Sequence, residues 1–289
     1  MRILLTGANG MLGHDVRRVG ERAGHELILA DLPELDIVNE RAVLAFYERE
    51  RPEATVNCAA WTDVDAAESN REAACAVNAD GAGNLARAAA GIGTPLLHIS
   101  TDYVFDGVAP LDGEGHPRPY LESDPTGPRS VYGESKLAGE RQVLDASPDH
   151  AVLRTAWLYG VDGANFVATM LRLAGERDAV QVVDDQVGSP TWSGHLAPAV
   201  LGLLERGVSG LVHLTGAGSV SWNGFAKEIF RQAEIDCRVE VASSAEMARP
   251  APRPAFSVLD TEREDVLPMP DWRDGLAGYL AARIGLNRS

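Results

Sequence analysis

Cysteine is scarce in this chain. Cys58, Cys75 and Cys237 are the three among 289 residues, odd in number, scattered and without a C-x-x-C pair. That excludes a disulfide framework and suits a reducing compartment, so a cytoplasmic location is expected. Long apolar runs are missing too. The first, Ile3 to Leu5, ends at Thr6-Gly7 and is too short for a secretory signal. No run approaches the ~20 apolar residues of a membrane span, so no membrane partner is expected. Basic residues are in deficit: 26 Lys and Arg face 42 Asp and Glu, a net charge of -16, with a pI of about 4.8. Such a surface repels a phosphate backbone and argues against nucleic acid as a partner. A nucleotide cofactor stays compatible, because a helix N-terminus can hold one against the global field. The seven histidines lack H-x-x-x-H spacing, and no metal site is expected. Asp184 and Asp185 are adjacent and point apart, which does not suit a two-carboxylate hydrolase.

What remains is an ordinary globular balance, 45% hydrophobic and 24% charged. Short apolar runs at Ile3–Leu5, His25–Ala30, Ala54–Cys58, Pro95–Ser100 and Ala151–Arg154 read as buried strands. Between them, Met11–Arg22, Val43–Tyr47, Asn78–Gly91 and Val131–Leu144 carry helical patterns. This alternation predicts an α/β fold: a Rossmann-type, doubly wound parallel sheet covered on both faces. Residues 1–155 form the predicted dinucleotide-binding core. Residues 156–289 form a predicted smaller substrate-binding lobe, with segments near 178–184 and 209–235 returning to the core. Thr101–Arg129 is rich in Pro, Gly and Asp and reads as a long loop at a strand end. Ala248–Ala255 (ARPAPRPA) cannot be helical.

Four motifs carry chemistry. Gly7-Ala8-Asn9-Gly10-Met11-Leu12-Gly13 follows a strand and opens a helix. Its G-x-x-G-x-x-G spacing allows a tight turn, backbone approach to a pyrophosphate and close helix–strand packing. Asp31 ends the second strand, where a carboxylate can accept from the ribose hydroxyls of an adenosine or simply be solvated. It repels a 2′-phosphate unless Arg17 or Arg18 compensates, and Asp36-Ile37 can sit beside the adenine. Tyr132 and Lys136, four apart, share one helical face. A nearby ammonium is expected to lower a phenol's pKa and fit it for proton transfer to a carbonyl. Ser100-Thr101-Asp102-Tyr103 lies where the fourth strand ends, the edge at which α/β sheets bind ligands. Glycine loop, strand-end Thr and Tyr-x-x-x-Lys together indicate hydride transfer. Other residues read as packing: Cys58 as a small apolar filler, His98 and His213 as strand groups, Trp192 and Trp222 as core aromatics.

The combination GANGMLG, NCAAWTDVDAAE, VNADGAGNLA, STDYVFDG, VYGESKLAGE, LRTAWLYG, DDQVGSPTW and RPAFSVLD resembles extended short-chain dehydrogenase/reductases. More closely, it resembles the dTDP-4-dehydrorhamnose reductase family, from Met1 to about Leu280. The resemblance implies NADPH or NADH as cofactor and reduction of the C4 ketone of a dTDP-4-keto-6-deoxysugar, foremost dTDP-4-dehydro-L-rhamnose. It implies a place after a 3,5-epimerase and a monomer or homodimer. Thr101, Tyr132 and Lys136 would be catalytic. Gly7, Gly10, Met11, Leu12 and Gly13 would wrap the pyrophosphate; Asp31, Asp36 and Ile37 would border the adenosine. Ala59, Ala60, Trp61, Asn78 and Ser100 would also line the cofactor. Thr101, Asp102, Trp157 and Arg253 would face the substrate, and DDQVGSPT would help close its nucleotide end. Trp61 stands where members of the family often carry His. Residues 281–289 lack the acidic groups some members use to hold a metal at a dimer contact.

Four other functions belong to the same fold. A sugar-nucleotide 4,6-dehydratase would carry Thr-Asp-Glu where this chain has Thr101-Asp102-Tyr103, so the eliminating carboxylate is missing; a 4-epimerase stays open. A related 4-ketohexulose reductase would make another deoxysugar such as dihydrostreptose. A non-catalytic regulatory subunit would bind cofactor without consuming it.

Overall fold

The computed structural model describes residues 1–286; the acid-poor stretch 281–289 lies partly outside them. Five strands, β1 (Arg2–Thr6), β2 (Glu26–Ala30), β3 (Ala54–Asn57), β4 (Leu96–Thr101) and β5 (Ala151–Thr155), form a parallel sheet with Gly210–His213 at the edge beside β5. From the other edge the order runs β2, β1, β3, β4, β5. The chain leaves β1 outward to β2 and then returns to the opposite side at β3. This reversal opens a crevice at the β1/β3 carboxyl ends, where doubly wound sheets take ligands.

The apolar runs are continuous because both faces of the sheet are covered. Ile3 and Leu5 point to one side, into a cluster with Leu12 and Val16 of α1 (Met11–Arg22) and with Leu196, Val200 and Leu204. Leu4 points to the other side, among Val43, Phe46, Leu85 and Val143. One face of the second lobe's core is aromatic: Tyr159, Phe225, Phe230, Trp272 and Tyr279 pack with Val180, Val182 and Ile229.

The structure redraws the expected division of the chain. Gly210–His213 does join the large sheet, but Ala179–Val183 pairs with Arg238–Ala242 in a separate two-stranded parallel sheet. The physical reason is its one-sided pattern: Val180 and Val182 are buried while Gln181 between them is exposed, which suits a sheet covered on one face. Helix Trp222–Gln232 likewise packs in the second lobe through Phe225, Ile229 and Phe230. Conversely, helix Ser193–Glu205 belongs to the core, where its buried leucines cover α1 and β1.

Two local details position the site. The helical run expected at Asn78–Gly91 begins earlier, at Arg71, and passes through a π-helical turn at Ala76–Gly81 before continuing to Gly91. Such wide turns often mark functional positions, and this one carries Asn78 inward. The loop after Thr101 is pinned: Phe105 stacks on Tyr120 at 4.0 Å, and Arg118 makes paired 2.6 Å contacts to Asp124. Ala248–Ala255 is non-helical, as expected. Among the described residues no helix is long and apolar enough to cross a membrane.

Candidate active site

The carboxyl ends of β1, β3, β4 and β5 open into a cleft of about 760 Å³. One wall is backbone. Gly7 has φ +65°, and a Cβ there would lie 2.5 Å from the Ala59 nitrogen. A Cβ on Gly13 would lie 2.2 Å from the Gly7 carbonyl oxygen. Gly10 precedes α1 as its N-cap and offers no side-chain cap, and the first turn carries no acidic residue. Its end therefore presents bare N–H groups and the positive pole of the helix, the arrangement that suits a pyrophosphate. Gly10, Met11, Leu12, Gly13, Asp36, Ile37, Ala59, Ala60 and Trp61 all line the cleft. Asp31 does as well, and its carboxylate accepts from the Asn9 and Leu32 amides at 3.1 and 3.0 Å. Arg17 is paired with Glu21, and Arg18 with Asp15 and Asp162, so both expected compensators are engaged elsewhere.

The opposite wall is built from side chains. Ser130 caps helix Val131–Ala146 by accepting from the Gly133 amide. That fixes the start of the helix and turns Tyr132 and Lys136 into the cleft beside Thr101. Thr101 donates to Asp102 Oδ1 at 3.0 Å. Asp102 is 2% exposed, and burial pushes its carboxyl up to about 6. Among the described residues its Oδ2 and the Ser257 hydroxyl make no hydrogen bond of good geometry, although Ser257 lies near enough to oppose the rise. Burial also pushes the Tyr132 phenol up to about 12, opposed by the Thr101 hydroxyl and reinforced by Asp102.

The lowering expected from Lys136 is not among these causes. The Lys136 amine turns into the sheet, donating to the Ile99 carbonyl at 2.6 Å and meeting His98 Nε2 at 3.1 Å. Burial brings it down to about 8. Ser100 is similarly committed: it lines the cleft, but its hydroxyl donates to Glu140 at 2.6 Å. Glu140 in turn holds Arg154 through two contacts of 2.8 and 2.7 Å.

A family model described as RmlD substrate binding domain matches residues 1–284. The chain belongs to this family. A dTDP-4-dehydrorhamnose reductase of Streptomyces griseus is 45% identical over 98% of this chain and 94% of its own length. Among solved structures, a dTDP-4-dehydrorhamnose reductase of Clostridium acetobutylicum has a TM-score of 0.93 at 41% identity, with 98% of this chain and 99% of that one covered. The dTDP-4-dehydrorhamnose reductase of Bacillus anthracis, solved in complex with NADP, has a TM-score of 0.92 at 37% identity, with 97% and 99% covered.

Two residues that the family pattern placed at the ligands stand elsewhere. Asn78 is fully buried behind the cleft: it accepts from the Trp61 amide at 2.8 Å and donates to the Trp61 carbonyl at 3.1 Å. It positions the cleft wall. Arg253 grips Asp65 with contacts of 2.6 and 2.8 Å, tying the Pro-rich segment to helix Val64–Ser69. Trp157 lines the cleft, with φ +45°. Sequence reasoning missed its partner: Trp222 lies flat on it, ring centroids 3.5 Å apart, and also lines the cleft. Cys58 faces the cleft too, with its thiol pushed up to about 12 by burial. An aromatic at 222 and a strand-end cysteine carry no signal of their own; topology brings them here.

Proposed function

We propose that this protein reduces the C4 ketone of a dTDP-4-keto-6-deoxysugar with NADPH or NADH, with dTDP-4-dehydro-L-rhamnose as the foremost substrate. The observation that carries this reading is the convergence of Thr101, Tyr132 and Lys136 on one cleft whose far wall is an uncapped glycine-lined helix N-terminus. The Met11 and Leu12 segment would hold the cofactor pyrophosphate and Asp31 the adenosine ribose. A reduced nicotinamide supplies hydride when bound there. The chain's own groups do the rest. Thr101 orients the ketone oxygen. Tyr132, kept protonated at neutral pH by its burial, hands its proton to the developing alkoxide. Lys136 presents an N–H to a ribose hydroxyl. The second lobe, through Trp157 and Trp222, offers a flat aromatic surface over the sugar nucleotide. The reaction would follow a 3,5-epimerase in the cytoplasm.

A coupled assay tests this. It supplies dTDP-4-keto-6-deoxyglucose with NADPH or NADH, with and without a 3,5-epimerase, and follows cofactor absorbance and product NMR. Epimerase-dependent oxidation is expected, falling on the order of 10²–10⁴-fold in Tyr132→Phe as a general acid is lost. Tight nucleotide binding with no oxidation in any combination would overturn the reading and favour a binding subunit.

A further inference from the structure

Beneath the cleft floor lies a line of hydrogen bonds whose direction is fixed at one end. The Ala59 backbone N–H meets Asn57 Oδ1 at 3.0 Å. A backbone N–H can only donate, so the Asn57 oxygen must face Ala59 and its NH₂ must face the other way. That NH₂ meets His98 Nδ1 at 2.9 Å. Nδ1 must therefore accept, and a neutral imidazole that accepts at Nδ1 carries its proton on Nε2. Nε2 faces Lys136 Nζ at 3.1 Å. An ammonium has no lone pair and would set donor against donor across this contact. A neutral amine has a lone pair for the Nε2–H. One of its two N–H groups then goes to the Ile99 carbonyl at 2.6 Å, and the other is left for the cleft.

We infer that His98 is a positioning residue for Lys136: donating from Nε2, it biases the lysine toward its neutral amine and leaves one N–H for a bound ligand. The inference rests on the reductase reading only where it concerns turnover. His98 is fully buried, and that burial holds its own pKa well below the ordinary histidine value, so the ring is neutral. The other groups around Lys136 are Cys58 beyond β3, Tyr132 one turn before it and Glu140 one turn after it, with Asp102 beyond β4. Glu140 does most to favour the ammonium, and it is engaged by Arg154 from β5 and by Ser100. His98 thus meets little competition for the lysine's lone pair.

The composition makes the test clean, because the chain has two lysines, Lys136 and Lys227. Protein labelled with ¹³Cε-lysine gives two side-chain signals, assigned by Lys227→Arg. The expected result is a Lys136 midpoint near 8, below the ordinary lysine range. In His98→Phe, which removes the donor, the midpoint should rise by about one unit, a tenfold change in the protonation equilibrium. The pH profile of kcat/KM should move the same way. Should His98→Phe fail to fold, the long-range ¹⁵N–¹H spectrum of the wild-type ring decides alone, with Nε2–H expected. An Nδ1–H tautomer, an ordinary Lys136 midpoint, or a midpoint unmoved in a folded His98→Phe would overturn the inference. The titration and the tautomer need no substrate. Absent NAD(P)H oxidation therefore counts against the reductase reading and leaves them standing.

Discussion

The two walls of the cleft are made in opposite ways. The wall beneath the glycine loop is backbone and empty space: Gly7, Gly13 and Ala59 lie so close that a single added carbon collides. The wall from β4 and helix Val131–Ala146 is side chains, several of them polar and almost without solvent: His98, Ser100, Lys136, Glu140 and Arg154 are each under 5% exposed. The first wall tolerates changes of charge nearby but no change of volume. The second tolerates little change of polarity, because a buried polar group stripped of its partner costs the full desolvation penalty.

That contrast can be broken in order of expected effect. Glu140→Ala should be the most damaging, leaving Arg154 buried and unpaired, with a stability loss of about 3–5 kcal/mol in chemical denaturation. A loss below about 1 kcal/mol would show that solvent reaches this layer. Gly13→Val attacks the other wall by volume. Its branched side chain must displace the Gly7 carbonyl, costing on the order of 3 kcal/mol. Calorimetric titration should find nucleotide affinity reduced at least a hundredfold, and unchanged affinity in Gly13→Val would remove the glycine cradle from the binding site.

Asp102→Asn sharpens the comparison through pH. Burial raises the folded-state pKa of Asp102 from 3.8 to about 6, so the folded protein holds this proton more tightly than the unfolded chain. Its contribution is present in full below pH 3.8 and is lost as pH rises through about 6. Melting curves across that window should show wild type losing on the order of 3 kcal/mol that Asp102→Asn retains. Parallel curves for the two proteins would contradict this. The smallest effect belongs to Asp31, a charge on the volume-limited wall. With Arg17 and Arg18 paired elsewhere, Asp31→Ala should shift the NADPH-to-NADH preference toward NADPH by about tenfold. A ratio that does not move places the adenosine ribose away from Asp31.

The volume-limited wall was the more legible in the sequence. A glycine at φ +65° leaves its mark in the letter itself, and strand, turn and helix follow one another locally. Tyr132 and Lys136 were legible for the same reason, one helical turn apart. The buried polar layer was not. His98 looks like any strand histidine until Asn57 on β3 and Lys136 on a distant helix close around it. Arg253 was drawn to the substrate by its motif, because Asp65, which it grips, lies 188 positions away. Asn78 was drawn to the cofactor by its motif, yet a π-helical turn places it behind Trp61. The second lobe blurred because Ala179–Val183 has a strand's pattern without a signal for which sheet it joins.

The sheet closes late. β5 ends at Thr155, and the strand that covers its open edge begins at Gly210. During synthesis at roughly 5–20 residues per second, that edge waits several seconds for its neighbour, its unpaired N–H and C=O groups exposed to any other strand. The chain segment made in the interval, Ser193–Glu205, is the one that covers the adjoining face of the core. A ribosome that stalls between the two strands would leave a nascent core already shaped but still adhesive along one side.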